Sequence, residues 1–414
     1  MSNDLMSNDL RRSNPPWSPR LGELPLVLKK LLLFLAVLGA GALAYWYYRA
    51  TELVDRGPLY REYAYVTNGG SNTVSVIDLR TFRLARTLQV GLNPTGVTAN
   101  TLKNEIYVAN TDSHNITVID AERNHIVATI GVHGRPYSID VSPDGKRGYV
   151  ANSASNNISI LDLEKRAVIA TVRVGASPGK AVVAPDGNTV VVSNRGDNTV
   201  SLVDTKVDAG NPAVRATVTV CAQPEDIAIA LDSSEAFASC SGSNQVAAVD
   251  LKQARLLALL DVGKTPAHLA LKPDGGELVV SNFDSEIVSF IETSSNEVGG
   301  THLVGNKPAR TLVSPDNARL YVSNFGSNAV AVYDIDFGRI VATVHVGSEP
   351  DGLALTADAN HLLVLDSGSG DVTVIEKRVP KKFEKGEYFL LTMIPVGLKP
   401  NGIAVKAFRL PSTR

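Results

Sequence analysis

Apolar and polar residues alternate along this chain in short runs, and the runs come in fours. In the second unit the alternation predicts strands over 95–99, 105–109, 116–120 and 126–130. They are rich in Val, Ile, Tyr and Thr and are separated by Gly, Asn, Asp and Pro turns. No run keeps a helical spacing for long. The quartet recurs at a period of about 42 residues, and self-similarity at such a period is the mark of a repeat architecture. Four short antiparallel strands per unit predict a propeller blade, whose sheet buries both faces against its neighbours around a central channel.

Three signals run in register. One strand ends in Asn (Asn68, Asn110, Asn152, Asn194, Asn282, Asn324). A second, alternating strand ends in an acid (Asp78, Asp120, Asp162, Asp204, Asp250, Glu292, Asp334, Glu376). A Val-Gly-x-x-Pro phrase places prolines at 94, 136, 178, 224, 266, 308, 350 and 400. The first unit has no Pro-led innermost strand, and the chain end, Pro400-Asn401-Gly402-Ile403-Ala404-Val405, supplies a spare one. Pairing that strand beside 63–67 would close the ring and remove the sheet edges that invite aggregation. The expectation is an all-β, eight-bladed propeller of four-stranded antiparallel blades, closed by the C-terminal strand, with seven blades as the alternative. The period stretches twice, at Lys206 to Pro212 and around Val379-Pro380-Lys381-Lys382. Both insertions precede the outermost strand of a blade, where they project from the rim.

At this point the residues resemble a known family. Tyr65-Val66-Thr67-Asn68, then Ser71-Asn72-Thr73-Val74-Ser75-Val76-Ile77-Asp78 and Val90-Gly91-x-x-Pro94, look like the YVTN family of β-propeller repeats, over roughly residues 60–406. The resemblance implies a propeller on a prokaryotic cell surface and carries no catalytic set. More distantly, the pattern is similar to the haem-carrying propeller of dissimilatory nitrite reductases and to propeller lactonases.

The N-terminal segment follows a different rule. Residues 31–48 (LLLFLAVLGAGALAYWYY) carry no charge, and as a helix they would span roughly 27 Å, close to a bilayer's hydrocarbon thickness. Lys29 and Lys30 precede them, with Arg11, Arg12 and Arg20 upstream. The positive-inside tendency then keeps the first residues in the cytoplasm and exports the propeller. Ala42-Leu43-Ala44 has the small-x-small form of a processing site, so a cleaved signal peptide is the rival to one retained transmembrane helix. The expected organisation is a disordered tail at 1–28, an anchor or signal segment at 29–49, a linker at 50–60, the propeller at 61–408 and a tail at 409–414. The formal charge of −2 over 414 residues gives no field that favours nucleic acid.

Export gives two cysteines a meaning. Cys221 stands where most repeats have the Gly of Val-Gly-x-x-Pro, and Cys240 where most have the strand-ending Asn. Both fall in one unit, so three readings are open: a disulfide, two small buried thiols, or redox or metal chemistry.

The recurring Asn residues are expected to cap neighbouring turns through backbone groups, and the acids and the Pro-Asp-Gly turns at 143–145, 185–187 and 273–275 to shape turns. A less symmetric set is the candidate site. Two residues after the eight prolines stand Gly96, Ser138, Lys180, Asp226, His268, Arg310, Gly352 and Gly402, small on one half of the ring and mostly charged on the other. Tyr137, Glu225 and Asp351 lie one residue after their prolines. Two readings compete: a solvated ion-pair network, or a site for a small polar or anionic ligand with Lys180 and Arg310 as anion partners and His268 able to titrate.

No His/Cys/Asp group has zinc spacing, and no Cys-x-x-Cys-His, nucleophile elbow or Walker loop is present. The expectation is an exported, membrane-tethered module that binds a ligand or a surface protein, with no cofactor. An oxidoreductase-like or lactone-hydrolysing propeller is the alternative.

Overall fold

The structure, a computed structural model, describes residues 57, 59–205, 212–379 and 386–411. The expected anchor at 31–48 lies outside the described residues, as do most of both rim insertions. The described residues form eight four-stranded antiparallel sheets. The second blade is typical: β4 (Pro94–Ala99), β5 (Glu105–Asn110), β6 (Asn115–Asp120) and β7 (His125–Gly131), in that order from centre to rim. Each strand is a residue or so longer than the alternation predicts, because pairing continues into the turns.

Ring closure takes the expected form. The first blade is β1 (Tyr60–Asn68), β2 (Thr73–Asp78), β3 (Arg83–Gln89) and, on the inside of β1, the C-terminal β32 (Pro400–Arg409). β1 and β32 pair antiparallel from Tyr60 opposite Arg409 to Asn68 opposite Pro400. The innermost strands then touch in sequence around the channel, with β32 against β4 completing the circle. There are eight blades, not seven.

Alternation accounts for the packing. Both faces of the middle strands are buried, so each pair of neighbouring blades shares one apolar layer. Leu363, Leu365, Val372, Val374 and Ile394 of the last blade meet Ala64, Val66, Ile77 and Leu79 of the first. Each such fully buried Val, Leu or Ile contributes roughly 1.5–3 kcal/mol.

Two repeated asparagines hold the turns. One sits at a hairpin tip with positive φ: Asn72, Asn156, Asn198, Asn244 and Asn328, at 51–58°. Its Oδ1 accepts the N–H of the residue before the next inner proline, as from Asn93 to Asn72 at 2.8 Å and from Thr265 to Asn244 at 2.9 Å. The other is the strand-ending Asn, whose partners match expectation in some blades and differ in others. Its amide reaches side chains of the next strand: Asn68 Nδ2 donates to Thr73 Oγ1 and Ser75 Oγ, both at 3.0 Å, and Asn110 Nδ2 to Asn115 Oδ1 and Thr117 Oγ1 at 2.7 and 2.8 Å. The side chain lies inside the blade, where side-chain oxygens face it in most blades, while Asn282 Nδ2 also donates to the Ile287 carbonyl at 3.2 Å and Asn324 Nδ2 to that of Val304 at 2.9 Å, the backbone partners expected. The strand-ending acids do shape turns, as Asp78 Oδ1 accepts the Arg80 N–H at 2.8 Å. In the Pro-Asp-Gly turns Gly145, Gly187 and Gly275 have φ of 67–77°, a region open to Gly at no steric cost.

The strand-ending Asn also explains the Gly of Val-Gly-x-x-Pro. A Cβ on Gly91 would stand 2.7 Å from Asn110 Cβ, so in this blade a side chain at that position would force the backbone to shift. In the fifth blade this tight pair is Cys221 and Cys240, joined in a disulfide with Cα atoms 5.6 Å apart. The last blade departs in another way, with Asp366 in place of Asn and Asp371 beside it. Burial, reinforced by the hydrogen bond with Asp371, pushes the Asp366 carboxyl up to about 8. At neutral pH it therefore holds a proton where the other blades have an amide N–H.

Two outcomes follow from these departures. Replacing Cys221→Gly together with Cys240→Asn restores the repeat pattern and removes only the cross-link of a 19-residue separation. It should cost about 3 kcal/mol in a denaturant titration, a loss absent when both proteins are measured under reductant. Because the folded Asp366 binds its proton more tightly than the unfolded chain, its contribution is complete below about pH 4 and fades as pH rises to about 8. Asp366→Asn should therefore stabilise the protein by up to about 5 kcal/mol at pH 8 and not at pH 4, read from melts across that range.

Candidate functional site

A bulge aims the channel residues. Just after each inner proline the ladder slips: Pro178 pairs with Asn194, but the next pair is Ala181 with Val192, and Pro266 with Asn282 is followed by His268 with Ser281. Such a slip bends the strand and re-aims its side chains. Serine hydroxyls of the neighbouring strand fix the result. Ser193 Oγ accepts the Lys180 N–H at 3.0 Å, Ser239 Oγ that of Asp226 at 3.1 Å, and Ser323 Oγ that of Arg310 at 3.1 Å.

The bulged residues surround a cavity of about 420 Å³ at the channel mouth, with Tyr137, Lys180, His268, Arg310 and Asp351 in its wall. Thus five of the seven site residues expected from the sequence line one cavity. Asp226 and Glu225 do not. Asp226 is 7% exposed and braces the next blade, its Oδ2 accepting the Leu269 N–H at 3.1 Å. Glu225 turns to Arg195, 3.3 Å away.

The small half of the ring is set by packing. A Cβ on Gly96 would approach the Tyr137 carbonyl oxygen to 3.0 Å, and one on Gly352 the Leu365 side chain to 2.6 Å. One wall of the cavity is therefore close-packed backbone and the other is ionic.

The charges in the ionic wall are near one another without direct hydrogen bonds between their charged groups. Lys180 Nζ stands 3.8 Å from Asp226 Oδ1, His268 Nε2 3.7 Å from Asp226 Oδ2, and Arg310 Nε 3.7 Å from Asp351 Oδ1. Rim pairs are tighter, with Arg147–Asp162 at 2.9 Å and Arg319–Asp334 at 2.7 Å. Arg310 Nε donates to the Asp351 carbonyl at 3.2 Å, and Lys180 Nζ makes no hydrogen bond among the described residues.

Protonation follows from burial and neighbours. Burial would raise the Asp226 carboxyl, but Lys180, His268 and Arg310 outweigh it and hold it below its ordinary value. Burial also lowers His268, and with Arg310 and Lys180 it overcomes the pull of Asp226, leaving the imidazole at about 4. Some 23% of that side chain stays exposed, in the wall of the cavity. The Thr311 N–H donates to His268 Nδ1 at 3.4 Å, which assigns the neutral ring's proton to Nε2. Burial raises Asp351, against the field of Arg310.

Three mouth residues escaped the sequence reading. Arg195 stacks over the Tyr137 ring at 4.8 Å, and Phe283 and Phe325 pair at 5.7 Å with Lys307 over Phe283. Arg195, Phe283 and Phe325 each follow a strand-ending Asn, a position filled by Gly, Ser or Thr in the other blades. Their break in pattern was the available signal. Among the described residues no group of three His, Cys, Asp or Glu could hold a metal ion, and His268 is the one histidine in the cavity wall.

Comparison with known proteins bears on the fold. Residues 58–211 match the family model described as lactonase, 7-bladed β-propeller, although this ring has eight blades. No curated protein matches the chain. Among solved structures, the chain is similar to the dihydro-heme d1 dehydrogenase NirN in complex with DHE, at 14% identity over 82% of this chain and 74% of that one, with a TM-score of 0.68. It is also similar to hydrazine synthase of Kuenenia stuttgartiensis, at 21% identity over 69% of this chain and 96% of that one, TM-score 0.57. A functionally unknown protein from Desulfotomaculum acetoxidans matches at 16% identity over 70% of this chain and 97% of that one, TM-score 0.57. At such identities the likeness is one of fold. Residues 149–378 match the model described as YNCE-like β-propeller. Since that stretch is more than half of the 414 residues, the chain belongs to the YNCE-like β-propeller family.

Proposed function

We propose that the protein is an exported, membrane-tethered binding module of the YVTN cell-surface type, which captures a small anionic ligand at the channel mouth. The observation that carries this reading is the ionic wall. Lys180 and Arg310 keep donors directed at a cavity of about 420 Å³ instead of closing onto their carboxylates. A cavity of that size with a few convergent polar groups suits a compact ligand. A carboxylate or phosphate bridging the two cations would supply the short charge-assisted hydrogen bonds that they lack.

Export and tethering rest on the uncharged segment at 31–48 with Lys29 and Lys30 before it. The disulfide between Cys221 and Cys240 supports a location outside the cytoplasm, since such bonds persist in oxidising compartments. Among the described residues no helix is long and apolar enough to cross a membrane.

Two measurements test the site. Titrating a panel of small carboxylates and phosphates by calorimetry should find a ligand whose affinity drops at least tenfold in Lys180→Ala and in Arg310→Ala and disappears in the double variant. Unchanged binding in the double variant would dispose of the anion reading, and a visible haem spectrum in protein from its native host would favour the oxidoreductase alternative. The second is a pH series. An anion beside His268 raises its proton affinity, so binding takes up a proton and strengthens as pH falls from 7 toward 5, by up to about tenfold per unit. His268→Gln should flatten that dependence.

A further inference from the structure

Away from the channel, a second cavity of about 350 Å³ opens at the rim between the sixth and seventh blades. Missing side chains create it. In the outermost strand β23 (Glu297–Leu303), Gly300 lies opposite Phe290, where the corresponding pairs elsewhere are Ala258 with Ala248 and Ala342 with Val332. Gly299, beside it in the outer-strand bulge, stands where other blades carry Ile169 or Leu257. Neither glycine has a positive φ, so no backbone demand accounts for them. What they do is leave an opening over three aromatic rings.

Those rings form the floor. Phe290 and His302 meet edge to face at 5.3 Å, His302 and Tyr333 at 5.2 Å, and Phe290 and Tyr333 at 6.2 Å. Phe337, 75% exposed, stands at the edge of the cavity, with Arg339 over its ring at 5.7 Å. Tyr333 is only 3% exposed, lines the cavity, and its hydroxyl has no hydrogen-bond partner among the described residues. Gly338, with φ of 64°, leaves the space beside that hydroxyl free of a side chain.

The charge around the floor is acidic. Glu277 is taken up by Lys272 at 2.7 Å. Glu292 and Asp336 also line the cavity, and neither is in an ion pair among the described residues. Aromatic faces beside unpaired carboxylates attract a cation that is only weakly hydrated, because the ring quadrupole offers its negative face and the methyl groups of such an ion shed water readily. A compact metal ion would instead demand more oxygen donors than two carboxylates and a phenol provide.

We propose that this rim cavity is a binding site for a small methylated ammonium ion, its head on the Phe290–His302–Tyr333 floor between Glu292 and Asp336. An oxygen two or three bonds from that head would accept the Tyr333 hydroxyl proton and satisfy it. Choline has both features and is the probe. The site is independent of the channel, and its ligand has the opposite charge.

Saturation-transfer NMR on the full-length chain in a non-ionic maltoside reads the choline methyl protons directly. Transfer is expected for the wild type, with 3,3-dimethylbutan-1-ol, the neutral isostere, binding at least tenfold more weakly. Gly299→Leu introduces a side chain found at this position in a neighbouring blade and should abolish transfer while far-UV circular dichroism is unchanged. Glu292→Gln with Asp336→Asn should weaken binding at least tenfold, and Lys180→Ala in the channel should leave it intact. Absence of transfer in the wild type, equal binding of the neutral isostere, or full retention in Gly299→Leu would overturn the assignment.

Discussion

The pairing of β1 with β32 is the contact on which everything else rests. It joins Tyr60–Asn68 to Pro400–Arg409, so the ends of a 350-residue stretch share one sheet. Loop-closure entropy grows only logarithmically with length, which keeps the cost of joining such distant segments near 5 kcal/mol. A full strand of ladder hydrogen bonds and the apolar layer of Ala64, Val66, Leu363 and Val372 offset it. With the first and last blades joined through a shared sheet, the ring cannot open there without breaking both the ladder and the apolar layer. The bulges after the inner prolines are then held at one height around the channel, where their side chains converge.

Identical blades would build an inert disc. Chemistry enters where the pattern breaks, and the breaks are of two kinds. Some exchange one structural device for another, as the disulfide replaces a Gly–Asn contact in the fifth blade and a protonated Asp366 replaces an amide in the last. Others leave polar groups without the close partners that structural positions have. Lys180 and Arg310 at the mouth, and Tyr333, Glu292 and Asp336 at the rim, are of the second kind. Arg319 and Asp334, in contact at 2.7 Å, show the closer pairing found at structural positions.

Asp226 shows how far a register argument reaches. Its place two residues after Pro224 marked it as a channel group, equal to Lys180 and His268. Its carboxylate instead accepts the Leu269 N–H of the next blade, as Asp140 accepts that of Val183 at 2.9 Å. A short acid reaches the neighbouring backbone, whereas the longer Lys180 and Arg310 extend past it into the cavity. Spacing located the residue, and side-chain length decided what it touches. The strand-ending asparagines make the same point, since their structural role was legible but the side-chain partners that most of them take were not.

Period, alternation and turn residues determined by themselves the strands, the blades and the manner of closure, and the structure decided for eight blades over seven. Each of these depends on local pattern or on counting, because a strand's two faces and a turn's φ are dictated by a few adjacent residues. The aromatic floor of Phe290, His302 and Tyr333, the stacking of Arg195 on Tyr137, and the unequal fates of Asp226 and Arg310 were decided only by tertiary structure. These join residues from different strands or blades, at distances set by how one sheet leans on the next. No sequence separation encodes that geometry, since the same 42-residue step brings one pair of side chains into contact and leaves another pair apart.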